Sequence, residues 1–358
     1  MAVETNGANG ATANGSYEIL LRAGYPYEQT LGRRLVTFNP IDLAVGQEGR
    51  IYCLGRGPFE TGGPLRILNW EDEDLGVVRR RPPEPNDRPA EADCGWIWPA
   101  GIVCDADERI IVSDEGDHTI TIATRERDVE IARWGEHGSA PGQLDRPAHM
   151  AIDDEGRLLV VDTMNHRVQR FTMDGRYIDG FGSYGSGFGE LDMPWGIALD
   201  GDGCVYVGDW RNDRVQKFSP SGEPLMIIGS SGDGDGELNR PAGVTVDRHG
   251  DIYVADRGNN RVVLFNRDGR YVEKFIGDAT LSPSALKMLM EQPILLRQRD
   301  LTVLEEEKRL RSPASVRIDG DRLLIPDFGY NRVQVYRKEA YPLREDQVAP
   351  IPTRPALR

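Results

Sequence analysis

The chain has 358 residues, of which 39% are hydrophobic and 28% are charged, and its formal net charge is −15. This length supports a large hydrophobic core, and the negative long-range field disfavours a nucleic acid as partner. The sequence contains no run of about 18 apolar residues, so we predict neither a membrane-spanning helix nor a membrane partner.

The first residues and the cysteines indicate the compartment. Residues 1–16, "MAVETNGANGATANGS", are small and polar, which predicts a disordered tail and not a signal peptide. The four cysteines form neither a Cys-x-x-Cys pair nor a zinc-type spacing. Reduced thiols are typical of the cytosol, so we predict a cytoplasmic protein.

A repeat of 47 or 48 residues organises the chain that follows. Pro99, Pro147, Pro194 and Pro241 mark successive copies, and more degenerate copies begin at Pro40 and Pro313. Each copy has four short runs of β-branched and apolar residues, separated by Gly, Asp and Asn. Such runs predict four antiparallel strands, here called A to D. Six such units predict an all-β, six-bladed β-propeller.

Three copies carry a shared motif, which reads "RPAGVTVDRHGDIYVADRGNNRVVLF" from Arg240 and has close counterparts from Arg146 and Met193. This motif resembles the NHL repeat. The resemblance implies a propeller that extends over residues 17–337, with a C-terminal tail at 338–358. It does not imply one function, because the family contains both binding modules and enzymes.

The ends of the ring and one insertion complete the predicted fold. The segment "YEILLRAG", from Tyr17, resembles a D strand, so we predict that it completes blade six and closes the ring. An insertion at 278–311 separates blades five and six. Ser282 before Pro283 predicts the start of one helix, and a second is predicted from Asp300 to Leu310. The insertion is either a lid over the central opening or a packing strut or oligomer contact.

Strand order predicts which face of the ring carries function. In an antiparallel meander, the B–C loops and the D–A loops lie on one face, here called the working face. The D–A loops are long and rich in glycine, as in "GSYGSGFGELDMP". Long loops on a rigid scaffold often carry function.

Some polar residues recur in most blades and others do not. The Asp that ends strand B and an Arg five residues later recur, which predicts a structural pair. The residue that follows this Asp differs from blade to blade. Together with Trp195, at the start of blade four, these variable positions give six candidate contacts for a partner or ligand: Arg56, Glu115, Trp195, Trp210, Arg257 and Phe328. Rim packing is the alternative.

Three histidines are predicted on working-face segments of blades two and three. Neutral imidazoles can bind a metal or move a proton, so His149 and His118 are candidate catalytic residues. With Asp42 they are also candidate ligands for one divalent metal ion. The inner-strand positions equivalent to His149 read Asp42, Gly101, Gly196, Gly243 and Ser315. The histidine set of the amidating lyases in the family is therefore not present.

These observations lead to two functional hypotheses. The first is a binding module that engages a protein partner or small ligand through the working face and the central opening. The alternative is a lyase or hydrolase that acts on a small substrate at a site containing histidine, with or without a metal.

Overall fold

The computed structural model describes residues 19–32, 37–57, 64–78, 96–124, 129–291 and 308–343. The predicted tail at 1–16 and most of the second predicted helix lie outside these residues. The described part of the chain contains no helix long and apolar enough to cross a membrane.

The chain begins with two strands, followed by the first three blades. The first two strands are β1 (Ile19–Gly24) and β2 (Tyr27–Leu31). Blade one consists of β3 (Pro40–Val45), β4 (Ile51–Gly55), β5 (Leu65–Leu68) and β6 (Asp74–Val78). Blade two consists of β7 (Pro99–Cys104), β8 (Arg109–Asp114), β9 (Thr119–Thr124) and β10 (Val129–Trp134). Blade three consists of β11 (Pro147–Ile152), β12 (Leu158–Asp162), β13 (Arg167–Phe171) and β14 (Tyr177–Phe181).

The second half of the ring repeats this arrangement. Blade four consists of β15 (Pro194–Leu199), β16 (Val205–Asp209), β17 (Arg214–Phe218) and β18 (Pro224–Ile228). A short parallel pair follows, β19 (Ser230–Ser231) with β20 (Glu237–Leu238). Blade five consists of β21 (Pro241–Val246), β22 (Ile252–Asp256), β23 (Arg261–Phe265) and β24 (Tyr271–Phe275). After helix α1 (Pro283–Met290) come β25 (Arg317–Asp319), β26 (Arg322–Asp327), β27 (Arg332–Arg337) and β28 (Glu339–Leu343).

Each blade is a four-stranded antiparallel sheet, and the first strands of neighbouring blades contact one another around the axis. This confirms the predicted six-bladed propeller. The hydrophobic core lies between successive sheets. Between blades four and five, for example, Tyr206 and Val215 pack with Val254 and Phe265, all at most 1% exposed. Burial on both faces of the sheets explains why the inner strands are continuous apolar runs.

The ring is closed by a different strand from the predicted one. The fourth strand of blade six is β2, which pairs with β27 from Tyr27↔Tyr336 to Leu31↔Val333. The predicted segment forms β1 instead, which pairs with β28 in a separate two-stranded sheet. Burial explains the choice, because Leu31 is fully buried in a cluster with Leu324 and Val333.

The insertion begins with a helix, as predicted at Ser282–Pro283. The Ser282 hydroxyl accepts the Ala285 N–H at 3.3 Å, which caps α1. The Ser284 hydroxyl then donates to Asp72, in the turn between the outer strands β5 and β6. Helix α1 therefore packs at the outer rim where blades six and one meet. For the described helix this favours the packing strut over the lid.

Candidate functional site

Arg56 lies on the axis of the ring. Its guanidinium carbon is 4.9 Å from the ring centroid of Trp98 and 5.7 Å from that of Trp195. Arg56 belongs to blade one and Trp195 to blade four, which are opposite in a six-bladed ring. A contact between opposite blades can only cross the central opening. The variable position after strand B of blade one thus delivers Arg56 to the axis.

Hydrogen bonds fix Arg56 to blade two. Its Nε and Nη2 donate to the carbonyl of Pro99 at 3.1 and 3.0 Å, and Nη2 also donates to Glu115 Oε1 at 2.7 Å. The two side chains are only 12% and 9% exposed. Burial lowers the pKa of Arg56, although Glu115 opposes that change, and burial raises the pKa of Glu115, which Arg56 opposes. This pair is therefore a poorly hydrated ion pair.

Arg257 is a second cation in the same region. Its guanidinium carbon is 5.2 Å from the ring centroid of Phe328. Burial lowers the pKa of Arg257, the charge of Arg56 lowers it further, and Glu115 partly offsets both. No carboxylate in the described residues lies within 4.0 Å of its guanidinium nitrogens. Residues of blades one, two, four, five and six therefore meet at the axis in a group here called the axial cluster: Arg56, Glu115, Arg257, Phe328, Trp98 and Trp195.

Asp42 belongs to a network on the inner strands. It is fully buried, and it accepts hydrogen bonds from the Ser315 hydroxyl at 2.6 Å, from Arg317 Nε at 3.0 Å and from the Ile102 N–H at 3.0 Å. Burial opposes its ionisation, but Arg317 and His149 hold the pKa of Asp42 below its usual value. Arg317 Nη2 also donates to the Ile102 carbonyl at 3.2 Å. Asp42 thus joins blades six, one and two, and both of its oxygens are engaged.

His149 lies next to Asp42 and is 1% exposed. It occupies an irregular part of β11, because the pairing with β12 shifts between Pro147 and Met150. Its Nε2 is 4.0 Å from Asp42 Oδ2 and has no hydrogen-bond partner in the described residues. Burial lowers the pKa of His149 to about 4, although Asp42 opposes this. The imidazole is therefore neutral near pH 7.

Trp195 adds a second unpaired polar atom beside His149. The two rings are 6.4 Å apart between centroids and meet edge to face. Trp195 Nε1 is buried, and nothing in the described part of the chain accepts its proton. An indole N–H can only donate. The buried Trp195 N–H, close to both His149 and Arg56, is therefore open to a hydrogen-bond acceptor.

His118 lies elsewhere, in a cavity of about 440 Å³ lined with Trp98, Glu115, His137, Asp145 and others. Its ring stacks on His137 with centroids 4.1 Å apart, and its Nδ1 is 3.5 Å from Asp145 Oδ1. Within the described ranges, this is the one group of three side chains whose possible ligand atoms lie within 4.8 Å of one another. The predicted metal set of His149, His118 and Asp42 is not assembled, because His118 belongs to this other group.

The hydrogen bonds of His118 argue for a structural role. Its Nδ1 accepts the Arg146 N–H at 3.0 Å, and in the next blade His166 Nδ1 accepts the Met193 N–H at the same distance. Asp213 fills the same place in blade four and accepts the Arg240 N–H. Because Nδ1 accepts, the proton of neutral His118 is on Nε2, which leaves no lone pair for a metal. The position fastens one blade to the next.

Three stretches of the chain, 144–171, 191–218 and 238–265, match the NHL repeat. They coincide with the first three strands of blades three, four and five. The chain is an NHL-repeat β-propeller.

Proteins that are similar to this NHL propeller match different lengths of its chain. A stretch of 48 residues is 44% identical to protein lin-41 of Caenorhabditis elegans and covers 13% of this chain and 4% of lin-41, so the match spans a small part of that protein. A gluconolactonase from Xanthomonas campestris has a TM-score of 0.55 at 15% identity and covers 89% of this chain and 99% of its own. Virginiamycin B lyase from Staphylococcus aureus has a TM-score of 0.51 at 14% identity, with 88% of each chain covered. The last two likenesses concern the fold alone.

The recurrent Asp and Arg of the NHL propeller are structural, as predicted. Asp256 is fully buried and accepts from the Asn239 N–H at 2.7 Å, from Asn259 Nδ2 at 2.8 Å and from Arg261 Nε at 2.7 Å. Arg261 also donates to the carbonyls of the preceding D–A loop, including Glu237 at 2.8 Å. The pair therefore holds the working-face loops as well as its own turn.

The structure brings five of the six predicted contact residues into the axial cluster. The sixth, Trp210, is half-buried and lies against Arg240, whose guanidinium carbon is 5.2 Å from the centroid of the Trp210 ring. Trp98 and Arg317 were not predicted. Both depart from the repeat: Arg317 occupies a position where other inner strands have Ala, Val or Thr, so aligning this position across blades would have found it.

Proposed function

We propose that this NHL propeller is a binding module that engages its partner through the working face and the mouth of the central opening. The axial cluster is the observation that carries the proposal. Its members occupy repeat positions that the scaffold leaves free, and they combine two arginines with aromatic rings. Arginine and aromatic side chains are the types that dominate binding energy at protein interfaces.

Exposed aromatic side chains favour a protein as the partner. Tyr184 is 70% exposed and Phe188 is 55% exposed, and both lie in the D–A loop between blades three and four. This loop is held rigidly, because Arg214 donates to its Gly187 and Glu190 carbonyls at 2.7 and 3.0 Å. Rigid, exposed aromatic rings lose little entropy on binding.

The enzymatic alternative has weaker support. Asp42 already accepts hydrogen bonds at both oxygens, so it is not available as a base. The hydrogen bonds of His118 repeat in blades three and four. Among the described residues, His149 has no hydroxyl or thiol hydrogen-bonded to it that could serve as a nucleophile.

Affinity capture from the organism that encodes this chain tests the proposal. The full-length wild type is compared with a working-face variant, Tyr184→Ser with Phe188→Ser, and with a matched opposite-face variant, Arg248→Ser. Arg248 lies in the A–B turn of blade five, where it pairs with Asp321 at the surface and donates a hydrogen bond to His249. We expect a protein that binds the wild type and the Arg248 variant but not the working-face variant. Capture that survives the working-face changes would show that this face is not the binding surface.

A further inference from the structure

The charges of the axial cluster do not balance. Arg56 and Arg257 supply two positive charges, and Glu115 supplies one negative charge. Glu115 Oε1 is bonded to Arg56, while Arg257 forms no ion pair with a described residue and contacts the face of Phe328 instead. Arg257 is half-buried, and a partly desolvated cation without a partner anion is costly, so the site favours the entry of a negative group.

One unpaired donor points the same way. Trp195 Nε1 is a buried donor without an acceptor in the described part of the chain, and its ring is 5.7 Å from the Arg56 guanidinium carbon. An incoming group with acceptor atoms at the axis, next to the Arg56 guanidinium, would satisfy this donor. This observation is independent of the charge count, because it concerns a neutral donor.

Resting on the proposed binding function, we propose that the mouth of the central opening binds one carboxylate of the partner, with Arg257 as its main ion-pair donor. A carboxylate has one negative charge, which matches the net charge of +1 from two arginines and one glutamate. Its two oxygens fit the fork of a guanidinium and can also accept from Trp195. The rings of Phe328 and Trp98 flank the site and suit an apolar group beside the carboxylate.

A phosphate is a poorer match. A phosphomonoester carries about −1.5 to −2 charges near neutral pH, which exceeds the single uncompensated charge. A polyanion is also repelled by the formal net charge of −15 at long range. A carboxylate can come from the C-terminus of a protein, from an acidic side chain or from a free organic acid, and these sources share the same chemistry.

Titration of the full-length protein with small probes tests the carboxylate site. The probes are N-acetylphenylalanine for a C-terminus, N-acetylglutamate α-amide for an acidic side chain and benzoate for an organic acid. N-acetylphenylalanine amide is the neutral control, and inorganic phosphate tests the charge preference. Calorimetry or the intrinsic tryptophan fluorescence follows binding, because Trp98 and Trp195 lie in the cluster.

We expect at least one carboxylate to bind, and the probe that binds best identifies the source. Arg257→Gln should weaken that binding by about tenfold or more, the loss typical of one charge-assisted hydrogen bond. Arg248→Gln, on the opposite face, should leave it unchanged. Thermal melts show whether Arg257→Gln is folded, and Arg257→Lys, which keeps the charge but loses the fork, gives an intermediate affinity.

Three results would overturn the carboxylate site: equal binding of the neutral amide, stronger binding of phosphate, or an affinity that Arg257→Gln does not change. A wild-type protein that binds none of the three carboxylates would also overturn it. In each case the capture experiment with the Tyr184 and Phe188 variant still decides the proposed function, because those residues lie outside the axial cluster.

Discussion

Replacing His149 with Gln should make the protein less sensitive to acid. The pKa of His149 falls from an ordinary value of 6.5 to about 4 in the folded chain, because the ring is buried. Between these two values the unfolded chain binds more protons than the folded chain. Above pH 6.5 the His149 ring is neutral in both states and the free energy of unfolding is not reduced by its titration. As the pH falls from 6.5 towards 4, the unfolded chain takes up the proton first and the free energy of unfolding decreases.

The size of the effect follows from the difference between the two pKa values. One pKa unit corresponds to about 1.4 kcal/mol, so His149 should cost the wild type about 2–3 kcal/mol of unfolding free energy between pH 7 and pH 4.5. Gln has no proton to gain in this range. Buried aspartates such as Asp256 also titrate in acid, but they are present in both proteins and cancel in the comparison.

Urea unfolding at pH 7 and at pH 4.5 measures this difference directly. His166→Asn is the matched control, because it removes a histidine away from the axis and inserts the residue that blade five has in that place, Asn260. If the wild type and His149→Gln lose the same free energy between the two pH values, the ring is not buried as described.

Three other changes test the scaffold. Asp256→Asn should lower the unfolding free energy by about 2–4 kcal/mol, because it leaves the Arg261 guanidinium buried without its counter-ion; urea unfolding measures this, and a loss below 1 kcal/mol would contradict the structural role. A maleimide at pH 7.5 should modify the half-buried Cys204 in the native protein and should modify Cys53 only after urea is added. Burial raises the pKa of Cys53 to about 12, so this thiol is protected in the folded chain. Equal rates of modification at the two cysteines in the native protein would be inconsistent with this burial. Gly277→Ala should destabilise the chain by about 1–3 kcal/mol, because Gly277 has φ +102° and an added Cβ would lie 2.5 Å from the Leu310 nitrogen; an unchanged melting temperature would refute this.

The fold could be predicted because each repeat has the same local sequence pattern. Strand runs, turn residues and the recurrent Asp and Arg indicated six equal sheets. Ring closure could not be predicted with the same accuracy, since β1 and β2 are both short alternating segments. Only long-range packing distinguishes them: Leu31 of β2 fills the core beside Leu324 and Val333, and no local pattern contains that information.

The candidate site was predictable in part for the same reason. Comparing blades showed which positions vary, and this identified Arg56 and Arg257. It did not show which variable residues meet, because contacts across the axis join blades that are far apart in sequence. The comparison of blades also did not reveal the role of His118. Its side chain replaces an Asp or Asn that accepts the equivalent backbone N–H in other blades.

Two departures from the repeat adjoin the Arg56–Glu115 ion pair. Blade one has Gly55 where the other blades have the recurrent Asp, and blade two has Asp114 without its Arg. Asp114 instead accepts the N–H groups of Ile97 and Trp98, at 2.6 and 2.8 Å, which holds Trp98 next to Arg56. The two blades that lost the structural pair thus supply Arg56, Glu115 and Trp98, while the blades that keep it supply Trp195, Arg257 and Phe328. A negatively charged scaffold with a locally positive mouth repels extended polyanions and still attracts a small anion at short range, which is the selectivity that a single carboxylate requires.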